Sequence, residues 1–301
     1  MSATLVSPPG GLLGQPPLPN VEGVTHHWVD LGGLQRHYAQ AGHGEPVVLL
    51  HGWPQHWWSW RLVIGPLSQR YRVICPDQRG MGWTDGTIRG YSWHQMALDL
   101  VELLDAIGID DFRLVGHDWG LVVGYRAVFN WPQRIRQFVA LGGIHPWSLD
   151  GAQLRLVRAA WHVYLIALLG GTASEGMGLT ARCLRRWRHA GTFTPEEERT
   201  YLSVMRQPKC VNAAAKFDRN VVLHELPHLA RHHRHLHNQV PTLHLNGQQD
   251  PLLPAVPDSY RKYAEHMRLE VVPNCGHFIA EEQPQLLLDR IEEFFSDGRH
   301  P

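Results

Sequence analysis

Short strand-like runs, some apolar at most positions and others mixed, recur along the chain, and between most of them apolar residues return every three or four positions. The runs predict strands over 24–29 and 34–39, joined as a hairpin around Gly32-Gly33, and then over 46–50, 71–75, 112–116, 136–141, 241–245 and 269–272. The periodic stretches predict helices over 57–69, from a Ser92 cap through Ile107 with Gly108 closing it, and over 119–130. From about 145 to 225 the alternation stops and only helical patterns remain, over 154–169, 181–188 and 194–206. Thr194-Pro195-Glu196-Glu197 is a strong helix start, with a capping hydroxyl, proline in the first turn and early acids. Strands alternating with helices imply an α/β fold: a mostly parallel eight-stranded sheet covered by helices on both faces. The expected organisation is a mobile, proline-rich N-terminal tail at 1–20, a core at 21–144 and 226–301, and an inserted helical cap at 145–225. No internal repeat interrupts this plan.

Composition narrows the function more than the fold. The 301 residues hold 28 Lys+Arg and 28 Asp+Glu, so no net charge draws the chain to nucleic acid or an anionic membrane. The longest apolar stretch, near 163–169, is far short of the roughly 20 residues a spanning helix needs. Cys75, Cys183, Cys210 and Cys275 form no C-x-x-C pair and follow no secretory signal, which fits free thiols and a cytoplasmic location. Twelve tryptophans are many for this length, and a large aromatic pocket would use some of them.

The chemistry concentrates at predicted strand ends. Gly116-His117-Asp118-Trp119-Gly120 joins a buried strand to a helix. Glycines two positions either side of Asp118 permit a turn so tight that its apex residue is pushed into the space above the sheet. A nucleophile there needs a base and a group to orient the base. Asp250 follows the strand at 241–245, and His277 follows the strand at 269–272. Loops at the C-terminal ends of parallel strands share one crevice, so all three side chains can meet despite their separation in sequence. The turn His51-Gly52-Trp53-Pro54 can aim the Trp53 N–H at the same point, and the Trp119 N–H would be its partner in an oxyanion hole.

These residues resemble the epoxide-hydrolase and haloalkane-dehalogenase branch of the α/β-hydrolase superfamily, and epoxide hydrolases most. The matching blocks are H-G-W-P-Q-H-W-W-S-W-R (51–61), P-D-Q-R-G-M-G-W-T-D (76–85), G-H-D-W-G (116–120), the Asp250 loop and C-G-H-F (275–278). The resemblance implies an α/β-hydrolase core with a helical cap and no cofactor. It also implies that Asp118 attacks a saturated carbon to form an alkyl ester, which water activated by His277 then hydrolyses, with Asp250 orienting His277. Aspartate suits this step because, with a reference pKa of about 3.9, it is already ionised at neutral pH. A haloalkane dehalogenase would use the same machinery, with the Trp119 indole as one halide donor. The asparagine that often supplies the second is absent at Trp53, and 141–145 holds no alternative acid. A non-catalytic small-ligand receptor on the same core is the alternative from another class.

Epoxide opening also needs a proton for the leaving oxygen, which two cap tyrosines supply in the family. Here His162 and Asp218 fall at the matching places, so the candidate donors are Tyr164, His162, Tyr201 and Asp218. The run His224, His228, His232, His233, His235 and His237 lacks the carboxylate or cysteine that would complete a metal site and reads as a solvated basic surface. Arg182, Arg185, Arg186 and Arg188 read as the wet face of a cap helix. The expected partner is a small apolar substrate, an epoxide or haloalkane; neither nucleic acid nor membrane is expected, and a homodimer is compatible with the sequence.

Overall fold

The computed structural model describes residues 4–6, 15–149, 158–189, 191–253 and 258–297. Nine strands form one sheet: β1 (Thr4–Val6), β2 (Thr25–Leu31), β3 (Leu34–Ala41), β4 (Glu45–Leu50), β5 (Tyr71–Pro76), β6 (Phe112–His117), β7 (Ile135–Leu141), β8 (Thr242–Gly247) and β9 (Met267–Val272). Their order is β1-β2-β3-β5-β4-β6-β7-β8-β9. β1, β2 and β3 pair antiparallel, as does β3 with β5, and every later pairing is parallel. The eight strands expected from these runs are all present.

β1 is an addition. Thr4 lies opposite Asp30 and Val6 opposite Trp28, so part of the stretch expected to be a mobile tail instead extends the sheet. The reason is local: β2 would otherwise leave a row of unpaired backbone groups, and Thr4-Leu5-Val6 has strand-forming side chains. Pro16 is also held, because its carbonyl accepts the Trp83 indole N–H at 3.1 Å. Residues 1–3 and 7–14 of that expected tail lie outside the described residues.

The central strands run apolar on both faces because both are covered. All six residues of β6 are buried. Helices α2 (Trp93–Ala106) and α3 (Trp119–Asn130) pack on one face, while α1 (Arg61–Ser68) and the C-terminal helix 284–297 pack on the other. Ser92 caps α2 by accepting the Gln95 N–H at 3.1 Å, as its position in the sequence suggested. The helix expected over 57–69 splits: Trp57–Trp60 is a tighter 3-10 turn, and α1 follows it.

From β4 the chain steps outward to β5 and then returns to the far side of β4 to make β6. That reversal of strand order opens a crevice at the C-terminal ends of β4 and β6. Between β7 and β8 the described residues hold helices and no strand: α4 (Trp161–Leu169), α5 (Gly171–Gly176), α6 (Leu179–Trp187), α7 (Pro195–Met205), α8 (Pro208–Asn220) and α9 (Leu226–His232). The first turns of the helix expected from 154 fall outside the described residues. Thr194 and Glu197 form the reciprocal capping box their spacing implied. A π-helical stretch over Val221–Glu225 joins α8 to α9, and no local sequence signal announces it. No helix among the described residues is long and apolar enough to cross a membrane.

Candidate active site

Asp118 sits at the apex between β6 and α3 with φ of 51° and ψ of −110°, a conformation L-residues rarely hold. Close packing over-determines it. A Cβ on Gly116 would stand 2.4 Å from the Gly120 carbonyl oxygen, and one on Gly120 would stand 2.2 Å from that of Leu50. Only glycine fits at either position, so β4, the apex and the first turn of α3 lock together.

The lock brings the distant candidates into one place. The Trp53 N–H donates to Asp118 Oδ2 at 2.8 Å. His277 Nε2 lies 3.7 Å from Asp118 Oδ1, an ion-pair separation longer than a hydrogen bond, and Nε2 has no hydrogen-bond partner. On the other side of the ring, Nδ1–H donates to Asp250 Oδ2 at 2.9 Å, while Asp250 Oδ1 accepts the Leu252 N–H at 2.8 Å. Backbone contacts fix the histidine loop: the His277 N–H donates to the Trp187 carbonyl at 2.9 Å, and His117 Nε2 donates to the His277 carbonyl at 2.9 Å. The first of these ties the loop after β9 directly to the end of α6.

The electrostatics follow from this geometry. Burial opposes ionisation of Asp118, yet His277, His117 and the Trp53 N–H hold its carboxyl below the usual carboxylate range. Burial likewise opposes a charge on His277, but Asp250 and Asp118 outweigh it and raise the imidazole to about 10. The resting arrangement is therefore a cation held between two carboxylates.

A cavity of about 230 Å³ opens above Asp118. Trp53, Trp93, Trp119, Trp187 and Phe217 supply most of its aromatic wall. Trp119 and Phe217 stack with centroids 3.8 Å apart, joining α3 to α8. Other tryptophans, such as Trp57, Trp60 and Trp147, are ordinary core residues away from it. Trp187 and Phe217 escaped the sequence reading, although the i, i+4, i+8 spacing of Leu179, Cys183 and Trp187 marks the buried face of α6.

Of the four candidate proton donors, His162, Tyr164 and Asp218 line this cavity. His162 lies parallel to the Trp53 ring at 5.7 Å, with Trp187 edge-on at 4.5 Å. Burial lowers it to about 4, so it is a neutral imidazole at pH 7 rather than a charged donor. Burial raises the Tyr164 phenol. Asp218 is buried, and burial and the nearby Asp118 charge push its carboxyl well above the ordinary range.

Tyr201 is not at the cavity. Its hydroxyl donates to Glu281 Oε1 at 2.6 Å and accepts from Arg61 at 3.2 Å. Arg61 and Gln55 also bond Glu281, and Arg61 reaches Glu197 at 2.6 Å. This buried cluster fastens α7 to the core. Tyr201 was a plausible donor by residue type, but the inward face of α7 meets α1 and the Glu281 helix instead of the nucleophile.

The histidine run is mostly exposed, with one departure: His233 is buried and bonds the Leu229 carbonyl. No group of three metal-ligating side chains occurs among the described residues. Arg182, Arg185 and Arg186 are exposed on α6, while Arg188 lies just beyond the helix and is half-buried. All four cysteines are buried free thiols.

A model of the alpha/beta hydrolase family matches residues 47–290. The chain is 29% identical over 287 residues to a soluble epoxide hydrolase of Corynebacterium sp. (strain C12), covering 92% of this chain and 99% of that one. It is 28% identical over 298 residues to a fluoroacetate dehalogenase of Burkholderia sp., covering 92% and 96%. Among solved structures, the epoxide hydrolase CorEH without ligand matches with a TM-score of 0.75 at 27% identity, over 92% of this chain and all of that one (100%).

Proposed function

The chain belongs to the alpha/beta hydrolase family, and from that premise we propose that it opens epoxides to vicinal diols through an ester on Asp118. The observation that carries the reading is an anionic carboxylate at the elbow, where a hydroxyl would serve acyl transfer, facing an aromatic cavity with His277 and Asp250 behind it. A carboxylate needs no base to attack a saturated ring carbon. The C–O bond breaks as the Asp118 oxygen bonds to carbon, and the freed oxygen takes a proton from an acid in the cavity.

Ester formation removes the charge on Asp118, and with it one of the two anions holding the proton on His277. Nε2 then gives its proton back to the acid spent in ring opening, and the neutral imidazole takes a proton from water as the hydroxide attacks the Asp118 carbonyl carbon. The Trp53 N–H, which already bonds an Asp118 oxygen, and the Trp119 N–H stabilise the resulting oxyanion. Asp250 keeps Nδ1 protonated and the ring oriented. Collapse releases the diol and restores the carboxylate. The helical insertion acts as a cap that keeps bulk water from the ester.

Similarity to a dehalogenase favours a second reading, in which a halide leaves instead of the epoxide oxygen and no acid is required. A parallel assay of diol formation and halide release across graded substrates separates the two. The covalent mechanism is tested by intact mass spectrometry of His277→Gln mixed with an epoxide that the wild type hydrolyses. An adduct of one substrate mass is expected, and none in the Asp118→Ala protein; absence of any adduct on His277→Gln would overturn the mechanism.

A further inference from the structure

Asp218 is a buried carboxylic acid that the steps above leave without a role. It lies on α8 beside Phe217, only 2% exposed, and lines the same cavity as Asp118. Among the described residues its side chain makes no hydrogen bond and faces no cation. The neighbouring bases on the helix are committed elsewhere: Lys216 Nζ donates to the Thr87 carbonyl at 2.7 Å, and Arg219 donates to the Ala167 carbonyl at 3.2 and 3.1 Å. No lysine or arginine lines the cavity among the described residues. An ionised carboxylate there, facing a second one, would have neither solvent nor a counter-charge.

Resting on the epoxide reading, we propose that Asp218 is the acid that protonates the epoxide oxygen, and that it restricts the site to uncharged epoxides. Before reaction the cavity carries one negative charge, on Asp118, while Asp218 is neutral. As the Asp118 oxygen bonds to carbon, the C–O bond electrons go to the epoxide oxygen, which takes the Asp218 proton. Asp118 is then a neutral ester and Asp218 the anion, so the charge crosses the cavity and its total does not change. In the second half, the Nε2 proton that His277 releases once the Asp118 charge is gone returns to Asp218, and the proton it then takes from water restores the imidazolium. The sum is epoxide plus water to diol.

The other groups facing Asp218 fit this assignment. The Cys183 thiol on α6 is pushed up to about 12 by burial and by Asp218 and Asp118, so it does not compete. His162 on α4 is a neutral imidazole, whose N–H is far too weak an acid. Tyr164 is half-buried, and burial moves its phenol further from neutrality. A substrate bearing its own carboxylate, such as a haloacetate, would add a second charge where the cavity tolerates one.

The test compares Asp218→Asn with Asp218→Glu, each in the His277→Gln background, by the rate of ester accumulation from a neutral epoxide in rapid-quench mass spectrometry. Asparagine keeps the shape but has no acidic proton, so ester formation should slow about 100-fold or more. Glutamate keeps the acid and should recover at least about a tenth of the original rate. Ester formation within about threefold of the parent in Asp218→Asn, or equal losses in the two variants, would overturn the proposal. Failure of the parent His277→Gln to form any ester would strike the covalent mechanism instead, so the two failures are distinguishable.

Discussion

Tyr201→Phe probes whether that hydroxyl is a strut or a catalyst. The substitution removes one oxygen from a fully buried site, where the hydroxyl donates to Glu281 Oε1 at 2.6 Å. A hydrogen bond to a charged group contributes about 1.5–3 kcal/mol, and one between neutral groups about 1. Which applies depends on the protonation of Glu281. Burial raises that carboxyl to about 7, with Arg61, Tyr201 and Gln55 pulling it back. Glu281 is therefore neutral in the fold at pH 5 and ionised at pH 9. Losing a donor disfavours the ionised form most, so the variant should lose about 2 kcal/mol at pH 9 but nearer 1 at pH 5. At pH 9 the melting temperature should fall by about 3 °C. Urea unfolding at the two pH values gives the stabilities, and diol formation gives the activity, which should stay within about threefold because Tyr201 does not line the cavity. A pH-independent stability loss would refute the assignment to Glu281. A large activity loss without destabilisation would return Tyr201 to the proton-donor role.

Gly120→Ala should cost more than about 3 kcal/mol or prevent folding, because its Cβ would lie 2.2 Å from the Leu50 carbonyl oxygen and backbone must move; soluble yield and thermal melts check this. His277 carries a linkage of opposite sign to a depressed acid. Its folded value, about 10, is above the ordinary 6.5, so its contribution is fully present below about pH 6.5 and is lost as pH rises through about 10. The stability advantage of wild type over His277→Gln should therefore shrink by on the order of a few kcal/mol between pH 6 and pH 10.5 in denaturant titrations, and an unchanged gap would contradict the charge assignment.

The sequence by itself determined the sheet and the polar centre beneath the cavity. The central strands, such as the one expected over 46–50, are apolar runs, because burial on both faces writes itself into composition that way. The elbow was legible because a strained apex demands glycines at 116 and 120, and the loops bearing Asp250 and His277 were legible because parallel strands send their C-terminal ends to one edge. Tertiary structure alone decided the helical insertion's contribution. A helix pattern shows which face is buried but not against what, so Tyr201 and Asp218, both inward on their helices, could not be told apart. Packing sent one to Glu281 and the other to the cavity. Protonation was likewise beyond the sequence: the neutrality of His162 and the upward shift of the Asp218 carboxyl arise from lost solvent and from charges that only folding brings near. The strand at Thr4–Val6 belongs with these, since what orders it is the open edge of β2 rather than anything in its three residues alone.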